Sequence, residues 1–293
     1  MGEQKDWLGL MPTKNYFNNV RNLLAVPLCL LVVCLVLFQR NDPAIASDIS
    51  TPPPRAAEVI STLKFAQWEQ LDDGLMLHQA YTALGTRLTA LKMSADKFRF
   101  SIEQQSSPTG ERASSVLERT SGHIAINGGF FGQKNDGSLY PVGQLIDDGV
   151  SHSTPWSNVG GYLAIGKEGN PDIIPSSNGS PAGIGDAVQT KPVLIEAGGL
   201  WAMNTNGTEL ARRSLVCILG DGDILLVVVS GGGLTLYEAG WILRSPKWGG
   251  FYDCDRAIAM DGGGSTQLQV RDNSQLDVTG LTPVQNLLVV HKR

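Results

Sequence analysis

The chain predicts an α+β domain with a mixed, mostly antiparallel sheet and a few packed helices, preceded by an N-terminal hydrophobic segment. Three observations carry that reading. Apolar runs of strand length recur through residues 63–293, bounded by turns rich in glycine, asparagine and aspartate. Two stretches, Glu111–Arg119 and the segment opened by Thr235, have helical character. The 34 glycines and 15 prolines among 293 residues, set against 17% charged residues, favour many turns over a helical bundle.

The elements follow in order. Trp68–His78 holds a turn at Asp73-Gly74 that feeds a strand, and Leu88–Gln104 reads as a pair of strands around the polar stretch Ser94–Lys97. A short helix over Glu111–Arg119 precedes a strand, His123–Asn127, which runs into Gly128 and Gly129. Strands follow at Val142–Ile146 and Gly160–Ile165, with Asp148-Gly149 as a turn, then at Pro192–Ile195 and Leu215–Leu219. Asp221-Gly222-Asp223 turns the chain into the strongly apolar Ile224–Val229. Thr235 with Glu238 three residues later forms a capping box that opens a helix to about Arg244. Strands at residues 257–261, Thr266–Val270 and Asn286–Val290 close the domain.

Composition narrows the function. An apolar share of 42% supports a sizeable core rather than disorder. A formal charge of −5 argues against a nucleic-acid partner, which calls for a basic excess. Residues 23–38 (LLAVPLCLLVVCLVLF) form an uninterrupted apolar run, either a transmembrane anchor or a signal-peptide core. Lys14 and Arg21 precede it and set residues 1–22 in the cytoplasm. Ala44-Ile45-Ala46 fits a cleavage site, so the alternatives are a single-pass anchor and secretion after cleavage near Ala46. Residues 39–62, with Pro52, Pro53 and Pro54, read as an extended tether to a folded part at 63–293. On either alternative the folded part lies outside the cytoplasm, in the cell envelope.

The chemistry concentrates at glycine-rich strand ends. Met260 and Asp261 end an apolar run, and Gly262, Gly263, Gly264, Ser265 and Thr266 follow. Consecutive glycines let backbone N–H groups turn inward and hold an anion, so the stretch suits a phosphorylated or hydroxyl-rich ligand. It lacks the lysine of a phosphate-binding P-loop, and a strand rather than a helix follows it. Asn127, Gly128 and Gly129 make a second elbow, with Asn127 offering both donor and acceptor and Phe130 and Phe131 behind it. Arg212 and Arg213 precede a strand, and arginine suits a bidentate grip on phosphate. The four histidines, His78, His123, His152 and His291, have no metal-ligand spacing, so neither a metal nor another cofactor is expected. Cys217 and Cys254 are expected as two buried thiols, with a disulfide as the alternative in an oxidising compartment.

Taken together, these segments resemble the phosphodiester glycosidase family. The similarity lies in AINGGFF (125–131), AVQTKPVLIEAGG (187–199), RRSLVCIL (212–219) and AMDGGGSTQL (259–268), with PVQNLLVV (283–290) like the family's closing strand. It covers about residues 65 to 292. Lys191 stands where a glycine is usual, and so does Cys217. The resemblance implies hydrolysis of a sugar-1-phosphodiester, or of a polysaccharide that carries one, at the C1–O bond. It implies Asp261 as the reacting carboxylate, with Asp147 and Glu196 in reserve. It also implies that Arg213 and the amides of Gly262, Gly263 and Gly264 hold the phosphate. Gly128, Gly129 and Ser265 would line the substrate, while Asn127 and Thr266 would orient sugar hydroxyls or phosphate oxygens.

Overall fold

The computed structural model describes residues 51–293. The cytoplasmic tail, the apolar run 23–38 and the cleavage motif at Ala46 lie outside the described residues. One antiparallel sheet has the order β1 (Glu69–Asp72), β2 (Leu75–Tyr81), β3 (Thr86–Met93), β16 (Ile224–Leu234), β15 (Ala211–Leu219), β17 (Cys254–Ala259), β13 (Val193–Glu196), β14 (Leu200–Trp201). A second has the order β11 (Pro171–Pro175), β10 (Gly161–Ile165), β12 (Asp186–Thr190), β8 (Leu145–Asp147), β9 (Val150–Ser151). A third has β18 (Leu268–Val270), β5 (Ile124–Asn127), β19 (Asn286–Lys292), β4 (Phe98–Gln104), and β6 (Phe131–Gln133) pairs with β7 (Leu139–Pro141). The helices are α1 (Pro54–Phe65), α2 (Ala113–Thr120) and α3 (Leu236–Leu243).

The apolar run at Ile224–Val229 shows how the layers stack. Side chains alternate across a strand. Ile224, Leu226 and Val228 join the central core with Leu91, Phe100, Ile126 and Leu288, so the large sheet packs on the third sheet. Leu225, Val227 and Val229 point the other way and are also buried, on the face that α1 and α3 cover. Each such side chain contributes roughly 1.5–3 kcal/mol by leaving water. On the far side α2 packs Val116 and Leu117 against Ala125, Leu287 and Val289. The order is helices, sheet, sheet, helix.

The Thr235 capping box forms as expected: Glu238 N–H donates to Thr235 Oγ1 at 3.1 Å, and Thr235 N–H donates to Glu238 Oε2 at 2.9 Å. The expected α+β, mostly antiparallel architecture is present, and every pairing among the described strands is antiparallel. The two strands expected within Leu88–Gln104 form as β3 and β4; they belong to different sheets, and the Ser94–Lys97 turn carries the chain across. Other expectations need correction. The expected tether is helical from Pro54, because proline suits the first helical position. Ala56, Val59, Ile60 and Leu63, spaced for one helix face, are buried there. Cys217 and Cys254 are a disulfide, not free thiols, because β15 and β17 are neighbours. Among the described residues no helix is long and apolar enough to cross a membrane.

Candidate active site

The site forms where β17 leaves the large sheet and meets the end of β5. Ala259 N–H donates to Pro192 O at 3.0 Å, Met260 N–H to Ser214 O at 2.8 Å, and Asp261 N–H to Gly128 O at 3.0 Å. Three distant segments therefore fix the backbone that presents Asp261. Beyond it the chain turns through Gly262 into a short 3₁₀ turn, Gly263–Ser265. Gly263 has φ +60° and nothing within 4 Å of where a Cβ would stand. A Cβ on Gly262 would lie 2.9 Å from Arg212 O and 3.6 Å from Arg213 Nη1, so glycine lets the loop close onto the arginine.

Asp261 and Arg213 border one cavity of about 400 Å³. Burial pushes the Asp261 carboxyl above the ordinary aspartate range, while the Ser265 hydroxyl and the Gly262 amide draw it back. The Gly262 N–H donates to Asp261 Oδ1 at 2.9 Å. Arg213, only 8% exposed, donates from Nε to Leu234 O at 2.9 Å and from Nη2 to Glu209 O at 2.7 Å. Its Nη1 is left beside Gly262. Burial lowers the guanidinium pKa and nearby Glu209 opposes that shift; arginine keeps its charge at neutral pH regardless. Phe130, Lys191, Pro192, Glu209 and Leu236 complete the walls. A cation, a carboxyl of raised pKa and the Gly263 turn thus share one hollow of ligand size.

Residues 120–291 match the phosphodiester glycosidase family. The chain belongs to that family. No curated protein sequence matches it. The solved proteins that share the fold include these three. The first is a Synechocystis protein at 16% identity and TM-score 0.55, covering 78% of this chain and 64% of that one. The second is the catalytic domain of zebrafish N-acetylglucosamine-1-phosphodiester α-N-acetylglucosaminidase, auto-inhibited by its pro-peptide. It also stands at 16% identity and TM-score 0.55, covering 78% and 82% of the two chains. The third, from Burkholderia pseudomallei, stands at 13% and 0.53, covering 73% and 74%.

Several residues expected at the substrate are buried in the scaffold. Asn127 is fully buried: its Nδ2 donates to Asp261 O at 2.6 Å, and its Oδ1 accepts from the Ser214 hydroxyl at 2.6 Å and from Gln267 N–H at 3.2 Å. It positions the loop that carries Asp261. Gly128 and Gly129 are packing glycines, since Cβ atoms there would stand 1.9 Å from Asn286 Oδ1 and 2.3 Å from Val188 Cγ2. Thr266 is fully buried and Ser265 nearly so, and Gly264 faces Leu281 rather than the cavity. The reserve carboxylates lie elsewhere. Asp147 accepts from Gln104 Nε2 at 2.7 Å on β8, and Glu196 sits at the far end of β13, roughly 13 Å of strand beyond Pro192. Of the predicted set, Asp261, Arg213, Gly262 and Gly263 come together on the cavity.

Lys191 and Glu209 reach the cavity although neither was singled out as a site residue. Glu209 sits on the irregular approach to β15, four residues before Arg213, a spacing with no motif to mark it.

Proposed function

We propose that this pocket hydrolyses the C1–O bond of a sugar-1-phosphodiester, releasing the free sugar and a phosphomonoester. The observation that carries the reading is that Asp261 and Arg213 border the same 400 Å³ cavity. In the reaction the C1–O electron pair departs with the phosphate oxygen, and water supplies hydroxide to C1. Asp261 takes the proton of that water, and a carboxyl of raised pKa is the better base. A phosphomonoester has a second pKa near ~6, so it leaves without strong protonation and one carboxylate suffices for the proton transfers. Arg213 and the amide of Gly263 stabilise the charge that develops on it. The zebrafish relative is named for this class of reaction on N-acetylglucosamine-1-phosphodiesters, and the sugar used by this chain is a separate matter.

The substrates assigned are glycoconjugates of the cell envelope or exopolysaccharide, met outside the cytoplasm by a domain anchored or exported through residues 23–38. The Cys217–Cys254 disulfide agrees with an oxidising compartment. Incubating the full chain with a glycosyl-1-phosphodiester is expected to release reducing sugar, and Asp261→Asn to lower that rate by about a thousandfold. Tight binding without release of sugar by the wild-type chain would leave only a glycan-binding module.

A further inference from the structure

The pocket holds a second cation whose placement differs from that of Arg213. Lys191 lines the same cavity, and its Nζ stands 5.0 Å from the centroid of the Trp156 ring. Among the described residues no carboxylate forms an ion pair with Lys191. The aromatic face that holds it leaves the ammonium donors for something else.

That face is built rather than incidental. Gln189 is fully buried, accepts the Trp156 N–H on Oε1 at 2.7 Å and donates from Nε2 to Trp156 O at 2.9 Å. Both sides of the Trp156 backbone are thus tied to β12, and its ring stands 5.9 Å from Phe130, another wall of the cavity. The two cations are also held apart. Arg213 is on β15, and Lys191 follows β12 and leads through Pro192 into β13; β17 lies between β13 and β15, so the two backbones are roughly 10 Å apart. Arg213 is drawn toward Leu234 and Glu209, and Lys191 toward Trp156. A single phosphodiester carries one negative charge, which the buried Arg213 meets beside Gly262. The exposed Lys191 on the other flank of β17 meets a different one.

We propose that Lys191, held on the face of Trp156, is a second anion subsite that selects glycosyl phosphodiesters bearing a further negative charge on the sugar or on the aglycone. The inference rests on the hydrolase reading and names its substrate class. Three matched glycosyl-1-phosphodiesters test it with the full chain: one neutral apart from the phosphodiester, one built on a hexuronic acid, and one with a carboxylate on the aglycone. The wild-type protein is expected to favour one of the two charged compounds in kcat/KM. Lys191→Met is expected to cut that preference roughly tenfold, mainly through KM, and Lys191→Arg to keep it. The compound that responds tells which end of the substrate faces Lys191.

An unchanged preference in Lys191→Met overturns the proposal. So does an equal loss on all three compounds, because Lys191 then serves the phosphate they share. Dissociation constants for the same compounds in Asp261→Asn, with and without Lys191→Met, separate the two readings. Charge-selective binding that disappears with Lys191, in a protein whose wild type releases no sugar, sinks the hydrolase and keeps the subsite. Binding that does not depend on charge sinks the subsite.

Discussion

Among the described residues, the Asp261 and Asp186 carboxyls are pushed above the ordinary aspartate range by burial, and they border different cavities. The cavity beside Asp186 is the larger, about 880 Å³ against 400 Å³. Its carboxyl is nonetheless occupied: Oδ2 accepts the Ile102 amide at 3.0 Å and Oδ1 the Asp148 amide at 3.1 Å. The nearby charges of Asp147 and Glu103 have its own sign and raise its pKa further. Of the cations on that cavity, Arg293 spends its guanidinium on the carbonyls of Ala95, Phe98 and Glu168. Asp261 instead shares its hollow with an arginine edge and an open glycine turn. Neither cavity volume nor a raised pKa identifies a reaction site by itself; the smaller cavity differs in that its carboxyl shares it with a buried arginine at a glycine turn.

The largest effect expected from that contrast is on turnover. Asp261→Asn should lower kcat by about a thousandfold, whereas Asp186→Asn should keep it within about twofold. A steady-state assay of both variants that finds them equally impaired would erase the distinction. Next, Arg213→Met should cost about a hundredfold in kcat, since it removes a donor from the developing phosphate charge. Arg293→Met, tried in parallel, should alter stability rather than kcat.

Removing the disulfide by Cys217→Ala with Cys254→Ala should cost about 2–4 kcal/mol in a denaturant titration, because it frees the chain between β15 and β17. The smallest effects are those of pH. Both carboxyls have folded-state pKa values raised above 3.8, so the folded state binds their protons more readily than the unfolded chain does. Their contribution to stability is complete below 3.8 and is lost as pH rises through the folded values. Each aspartate-to-asparagine change should flatten its share of that fall. The acid limb of kcat/KM should lie above 3.8 and follow Asp261 alone, so Asp186→Asn should leave it in place.

Much of this was legible in the chain. The glycine run after Asp261 had to be a tight loop at a strand end, and the Thr235–Glu238 pair had to open a helix. What the order of residues does not reveal is which way a polar side chain faces. Asn127 carries a donor and an acceptor that suit a ligand as well as they suit backbone, and the fold uses both inward. Glu196 and Glu209 are both carboxylates near strand ends. Only the order β15–β17–β13 decides that Glu209 and Lys191 reach Asp261 while Glu196 does not. Long-range pairing likewise brings Cys217 to Cys254, and no local pattern encodes it.

The most direct measurement is the fate of oxygen when the full chain cleaves a glycosyl-1-phosphodiester in heavy-oxygen water, quenched before the sugar exchanges. The expected result is label on C1 of the released sugar and none in the phosphomonoester. Label in the phosphate would mean P–O cleavage, and would contradict Asp261 as the base that delivers water to C1 and Arg213 as the clamp on the departing phosphate.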